Sequence, residues 1–266
     1  LIAVKTIINL GSEAMFIENI SPVLFSIGPF VVRLYGVMFA VSVLAGFYYI
    51  RKHGAKKGFD DDFIFTLFIV ILVSIVVGAR AVYVFANWSY FMEHPELIVR
   101  IDRGGLAFHG GLLGGIISSW FYCYYKKASW RELADLVVPG VCVGIILVRI
   151  ANIFNQEILG RQAELLFFDR HPTQIYGSLI GLILLILHNH LARKKQRKPG
   201  YLFWNFVLGY TILRGFFEET FREMPLILWG YINEGWGFGF FTAVQVFTPF
   251  ILILALFMLH KIGKAK

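Results

Sequence analysis

LVVPGVCVGIILVRIANIFNQEILGR, Leu136 to Arg161, carries an apolar run into an arginine, two asparagines, a glutamine and a glutamate. The run from Leu136 to Ile150 is the length of chain that a bilayer core demands when it is extended to either side. On a helix Arg149 and Asn152 are three residues apart and Asn152 and Gln156 four, so the three share one face. An arginine on an apolar helix is costly in lipid and marks a functional site by default. No acid stands three or four residues from Arg149 to neutralise it.

The rest of the chain repeats this apolar character. Of 266 residues 58% are hydrophobic and 16% charged, and the mean hydropathy is +0.68. A soluble domain carries roughly a quarter charged residues. The 27 phenylalanines exceed what one globular core needs. These values predict an all-α polytopic membrane protein. The net charge of +8 sits in short loops between apolar runs, which argues against nucleic acid as a partner. Cys123 and Cys142 both lie in apolar spans, where they serve as small core residues and not as a disulfide or metal site. Met15 opens MFIENISPVLF as a natural start, so residues 1–14 are set aside as a non-native or disordered extension. No cleavable signal peptide is evident.

Seven apolar stretches are long enough to span: Phe30–Ile50, Phe63–Phe85, Leu106–Tyr125, Leu133–Phe154, Thr173–Leu191, Tyr201–Phe221 and Phe240–His260. Asp60, Asp61 and Asp62 suit the N-terminus of the second. Lys and Arg concentrate in alternate loops: Arg51 to Lys57, Lys126 to Arg131, Arg193 to Lys198, and the end after His260. The other loops hold only Arg100, Arg103, Arg161, Arg170 and Arg222. The positive-inside rule then puts the N-terminus outside and the C-terminus in the cytoplasm. The outer loops Asn87–Gly105 and Arg222–Gly239 are rich in aromatics, which suit an interfacial belt or short helices in the headgroup layer. No internal repeat supports an inverted-repeat transporter.

Arg33, Arg80, Arg149 and Arg214 remain in or beside apolar segments. Arg214 has Glu218 one turn on, a spacing that serves a structural pair as well as a site. An arginine fork matches phosphate oxygens and keeps its charge in a poorly hydrated place. Several such arginines facing a bundle interior suit an anionic lipid headgroup. His109 sits in LAFHGGLLGG at the mouth of the third span. Its glycines, Gly110 and Gly111 among them, allow close helix packing or close approach of a ligand, and the histidine itself suits a ligand or acid/base role. Tyr35 is an amphipathic side chain at the start of the first span, where interfacial anchoring is the simpler role. The seventh span has no lysine for a retinal Schiff base. Neither a phosphate-binding loop nor a His-Glu-x-x-His zinc motif occurs, and the spans lack acidic pairs for a divalent metal, so neither cofactor nor metal is expected.

Together the motifs resemble the bacterial prolipoprotein diacylglyceryl transferases. SPVLFSIGPFVVRLYG, GARAVYV, GGLAFHGGLLGG, VRIANIFNQEILGR, RHPTQIYG and RGFFEETFRE stand in that family's order, from Ser21 to about Phe250. The signature spacing of Arg149, Asn152, Asn155, Glu157, Gly160 and Arg161 is intact. Four positions depart from the family pattern. Ala151 and Val244 replace usual glycines, and Gly177 replaces a usual glutamate. Glu218 and Arg222 are one residue further apart than a Glu-x-x-Arg pair.

The resemblance implies transfer of diacylglycerol from phosphatidylglycerol to the lipobox cysteine thiol of a prolipoprotein signal peptide, with release of glycerol-1-phosphate. It also implies a multi-pass protein of the bacterial inner membrane. On this basis Arg149, Arg214 and His109 are the expected catalytic residues. Tyr35, Arg80, Asn152, Asn155, Glu157, Gly160, Gly110 and Gly111 are expected to bind substrate, with Arg80 lining the cavity or pairing with an acid such as Glu157. A lipid or anion transporter using the same arginines is the alternative, and a scaffold with all its arginines paired is a third.

Overall fold

The computed structural model describes residues 21–28, 30–101, 104–163, 165, 168–193 and 197–264. The extension expected over residues 1–14, the start at Met15, and Arg103, Lys194, Lys195 and Lys266 lie outside them. The chain divides into two compact units, Ile50–Leu136 on one side and Leu1–Tyr49 with Val137–Lys266 on the other. Five helices among the described residues are long and apolar enough to cross a membrane: Leu34–Lys57, Asp61–Ala86, Trp130–Phe154, Thr173–Ala192 and Ala243–Lys264. Phe65, Val73 and Val77 on the second of these are more than half exposed, as a lipid-facing surface requires.

In the Ile50–Leu136 unit, α2 (Asp61–Ala86) starts where the sequence indicates. The Asp60 side chain accepts from the Phe63 amide at 2.7 Å, and Asp61 and Asp62 follow in the first turn, at the positive end of the helix dipole. The loop after it then forms a short helix α3 (Trp88–Glu93) and a 3-10 turn (Pro95–Leu97). Helix α4 (Phe108–Tyr125) lies against α2 with backbone touching backbone. A Cβ on Gly78 would strike the Gly110 carbonyl and stand 3.1 Å from the Gly114 Cα, and one on Gly114 would strike the Ser74 carbonyl. Small residues at four-residue spacing permit this approach, which lipid alone does not drive.

The other unit begins with a hairpin, β1 (Val23–Ile27) and β2 (Phe30–Arg33), ahead of α1 (Leu34–Gly54). The first apolar stretch is therefore strand until Arg33, and its helix starts four residues later than expected. Gly28, with φ +57°, makes the hairpin turn. Helix α5 (Trp130–Phe154) enters this unit at Val137, and α6 (Thr173–Ala192) packs against it. Val138, Cys142, Ile180 and Leu184 form a buried core, with Phe203, Phe206 and Tyr210 packed on it. Cys142 is fully buried and free, the core role its apolar surroundings predict.

The sixth stretch is helical but not regular. Helix α7 (Tyr201–Tyr210) widens into a π-helix over Thr211–Glu218, and α8 (Glu219–Phe221) closes it. The Glu219 amide donates to the Arg214 carbonyl, five residues back instead of four. The loop expected to carry interfacial helices forms a second hairpin instead, β3 (Leu226–Asn233) with β4 (Phe238–Thr242). Its β-branched and aromatic residues fit a pleated surface better than a helix. Phe240–Thr242 belong to β4, so the last helix, α9 (Ala243–Lys264), starts later than the apolar run. A capping box fixes that start: Thr242 Oγ1 accepts from the Gln245 amide at 3.3 Å and Gln245 Oε1 from the Thr242 amide at 3.2 Å.

Candidate functional site

The opening stretch delivers Arg149 and Asn152 to one buried cluster, as their spacing predicts. Arg149 is 7% exposed and Asn152 2%. Arg149 Nη2 stands 2.8 Å from Glu218 Oε1, across from α5 to the π-helix. The acid missing from the neighbourhood of Arg149 in sequence is thus supplied from 69 residues downstream. Glu218 Oε2 lies 3.5 Å from Arg214 Nε, so one carboxylate joins the two arginines expected to be catalytic. The path of Arg149 depends on Gly177 on α6, where a Cβ would sit 2.8 Å from the Arg149 Cδ. Gly177 leaves the room in which the guanidinium stem lies.

Arg214 is held more tightly by its other neighbour. Its Nη1 donates to Glu219 Oε2 at 2.5 Å. Arg222 Nη1 donates to the same oxygen at 3.2 Å, and the Thr242 hydroxyl donates to Glu219 Oε1 at 3.1 Å. The π-helix explains this pairing: its wider turn lets residues five apart meet, as Arg214 and Glu219 do. The Glu-x-x-Arg spacing that is one residue too long from Glu218 is met from Glu219 to Arg222. Sequence reasoning missed Glu219, Arg222 and the Thr242–Gln245 cap. The Glu218–Glu219 doublet was the available signal, because a second acid offers a second register.

Several buried groups in the cluster have no hydrogen-bond partner among the described residues: Arg149 Nη1, Asn152 Oδ1, Asn155 Oδ1 and both Glu218 oxygens. Glu218 is within ion-pair reach of two guanidiniums, but neither contact has the alignment of a hydrogen bond. Buried polar atoms are ordinarily satisfied, so this concentration makes the cluster the candidate site.

The loop after α5 frames the cluster through its backbone. Gly160 bridges Arg222, and a Cβ on it would strike the His171 carbonyl, so this glycine is required for close packing. Arg161 donates from Nη2 to the Met224 carbonyl at 2.9 Å. Burial draws the Arg161 guanidinium below its ordinary pKa, against the opposing pull of Glu223 and Glu219. The Glu157 side chain is exposed, while its carbonyl accepts from Gln174 Nε2 at 2.7 Å. His171 is occupied by Tyr176 Oη at 3.2 Å and the Trp236 carbonyl at 2.9 Å, which fits a positioning role. Tyr35, half-buried near the start of α1, belongs to this same unit.

The remaining expected residues belong to the Ile50–Leu136 unit. His109 is exposed on the first turn of α4, its ring edge-on to Phe108 at 5.7 Å. Gly110 and Gly111 are buried against α2; a Cβ on Gly111 would stand 3.3 Å from Ile75 Cγ2. Of the two roles expected of this motif, close helix packing is the one these contacts display. Arg80 is engaged by the loop that follows its helix. Its guanidinium donates to the carbonyls of Leu97 at 2.5 Å, Ile98 at 2.8 Å, Gly104 at 2.9 Å and Gly105 at 3.0 Å. It also lies over the Phe91 ring at 5.2 Å. Four carbonyls take four of the five guanidinium N–H donors and, with the aromatic face, tie down this loop.

Comparison with known proteins places the chain in a family. Residues 22–260 match the family model of prolipoprotein diacylglyceryl transferase. A protein of Thermoanaerobacter sp. strain X514 named phosphatidylglycerol–prolipoprotein diacylglyceryl transferase is 45% identical over 249 residues, covering 93% of this chain and 96% of its own. The Thermus thermophilus protein of that name is 36% identical, covering 90% of this chain and 98% of its own. The one from Geobacter sulfurreducens is 30% identical, covering 94% and 100%. With a matched core that includes every residue of the buried arginine cluster, the chain belongs to the prolipoprotein diacylglyceryl transferase family.

Proposed function

We propose that this protein transfers the diacylglyceryl group from phosphatidylglycerol to the lipobox cysteine thiol of a prolipoprotein, the first step of bacterial lipoprotein maturation. The glycerol carbon loses its bond to the phosphate oxygen and gains a bond to sulfur. Glycerol-1-phosphate leaves with the bonding pair, and the thiol gives up its proton. The observation that carries this is the pair Arg149 and Arg214, buried together around one carboxylate with Arg149 Nη1 unpartnered among the described residues.

In this reading Arg149 and Arg214 hold the phosphate as it takes on charge. Charge-assisted bonds in a dry site supply on the order of 3–4 kcal/mol to a transition state. Asn152 holds a headgroup hydroxyl, Asn155 and Glu157 shape the rim, and Tyr35 lines the lipid side. His109 binds the headgroup or accepts the thiol proton. Arg80 serves by holding its loop and Gly160 by its backbone. The nucleophile comes with the substrate, so Cys123 and Cys142 have no part in the chemistry. Residues 15–266 work as one seven-span domain of the inner membrane, with the N-terminus outside, where a precursor cysteine emerges.

The test is incubation of purified protein with phosphatidylglycerol and a lipobox peptide. Thioether-linked peptide and free glycerol phosphate in equal amounts are expected. Lipid flux across vesicles without either product would instead mark a transporter.

A further inference from the structure

Two adjacent glutamates in the arginine cluster are held in different ways. Glu219 is 0% exposed and accepts three hydrogen bonds, from Arg214, Arg222 and Thr242. Glu218 is 1% exposed and accepts none among the described residues, although Arg149 and Arg214 stand at 2.8 and 3.5 Å. Glu219 is locked by directed bonds; Glu218 is held by charge. Its carboxylate is an oxyanion between two guanidiniums, the position a phosphate ester would seek.

We propose that Glu218 is an internal occupant of the phosphate site, a positioning residue that keeps Arg149 and Arg214 in place and yields Arg149 to the incoming phosphodiester. This rests on the function proposed above and names a determinant of its lipid affinity. The charges agree with it. The ion pairs of Glu218 and Glu219 are with Arg149, Arg214 and Arg222, an excess of one positive charge among these paired groups. A phosphodiester carries one negative charge and neutralises it. Glu218 need not leave the cluster, because Arg214 remains beside it when Arg149 turns to the lipid. The neighbouring α6 surface offers Gly177 and α9 offers Thr248 against Gly215, so these contacts bring no further charge to the exchange.

The exchange makes the carboxylate a competitor. Removing its charge should help anions bind, whereas a purely structural carboxylate would do the opposite. Full-length protein and Glu218→Gln are compared in zwitterionic detergent by titration with phosphatidylglycerol and, separately, with inorganic phosphate. Thermal unfolding and the KM for phosphatidylglycerol are followed. Glu218→Gln is expected to melt lower without anion and to regain more from phosphatidylglycerol than wild type does. Its phosphatidylglycerol affinity should rise about tenfold, the scale of one lost charge contact. Unchanged or weaker affinity overturns the proposal. Tightening for inorganic phosphate but not for the lipid overturns it for the lipid headgroup.

If Glu218→Gln does not fold, Glu218→Asp keeps the charge and draws it back by one methylene. About threefold tighter lipid binding is then expected, a few tenths of a decade per weakened contact, and no gain contradicts the proposal. Glu219→Gln should lose stability without gaining lipid affinity; an equal gain overturns the assignment to Glu218. Tighter lipid binding by Glu218→Gln in a protein that makes no thioether would uphold this proposal and sink the transferase function.

Discussion

Arg80 and Arg149 look alike in sequence. Each is a lone arginine on an apolar helix with no acid one turn away. In the folded protein they differ in kind. Arg80 spends its fork on four loop carbonyls and an aromatic ring. Arg149 meets one carboxylate that it does not hydrogen-bond, and leaves Nη1 unpartnered among the described residues. The same expensive side chain is engaged by its loop in one case and left with an unpartnered donor in the other. The distinction lies in whether the donors are satisfied by the chain itself.

Substitutions can break or sharpen that contrast. Arg149→Ala has the largest expected effect, a loss of about 10³-fold or more in transfer with membrane insertion retained. Assay of the folded, detergent-purified variant decides this. Arg149→Lys should lose nearly as much, because a point charge does not replace a fork at a phosphate. Gly177→Ala comes next. Its Cβ would push on the Arg149 stem, and a displacement of about 1 Å costs on the order of 10²-fold in rate. Activity near wild type in that variant would show that the path of Arg149 is not critical. Gly110→Ala tests the packing glycines. It should lower stability by about 1–3 kcal/mol through overpacking against Gly78, with transfer per folded molecule little changed. A selective rise in the KM for phosphatidylglycerol would return Gly110 to the substrate site. Arg80→Ala should have the smallest effect on chemistry, within about threefold per folded molecule, while thermal unfolding falls by a few kcal/mol as the loop carbonyls lose their donor.

How far these differences could be read in advance depended on range along the chain. Helix α2 was legible to its cap, because Asp60 acts on an amide three residues away. The five spanning helices followed from length and hydropathy. The strands were not legible: Phe30–Arg33 and Phe238–Thr242 are short apolar runs abutting helices, and periodicity does not separate the two over four or five residues. Arg149 and Asn152 were found because helical spacing alone joins them. Glu218 as the partner of Arg149 was not, since nothing local connects residues 149 and 218. Glu219 was missed because a π-turn shifts the pairing of Arg214 by one residue, and spacing read as a regular helix does not show that shift. The contacts of Arg80 were not legible either, because its carbonyl partners lie 17 to 25 residues on, whereas Gly110 and Gly111 show the close helix packing that was one of the two readings of their motif.

The most direct measurement is the specific activity of folded Arg149→Lys and Arg80→Lys, side by side, with phosphatidylglycerol in mixed micelles and a lipobox peptide. If Arg149 binds the phosphate and Arg80 only braces its loop, Arg149→Lys loses transfer by about 10²-fold or more while Arg80→Lys remains within a few-fold of wild type. Equal loss in the two variants, or a greater loss from Arg80→Lys, would contradict the account.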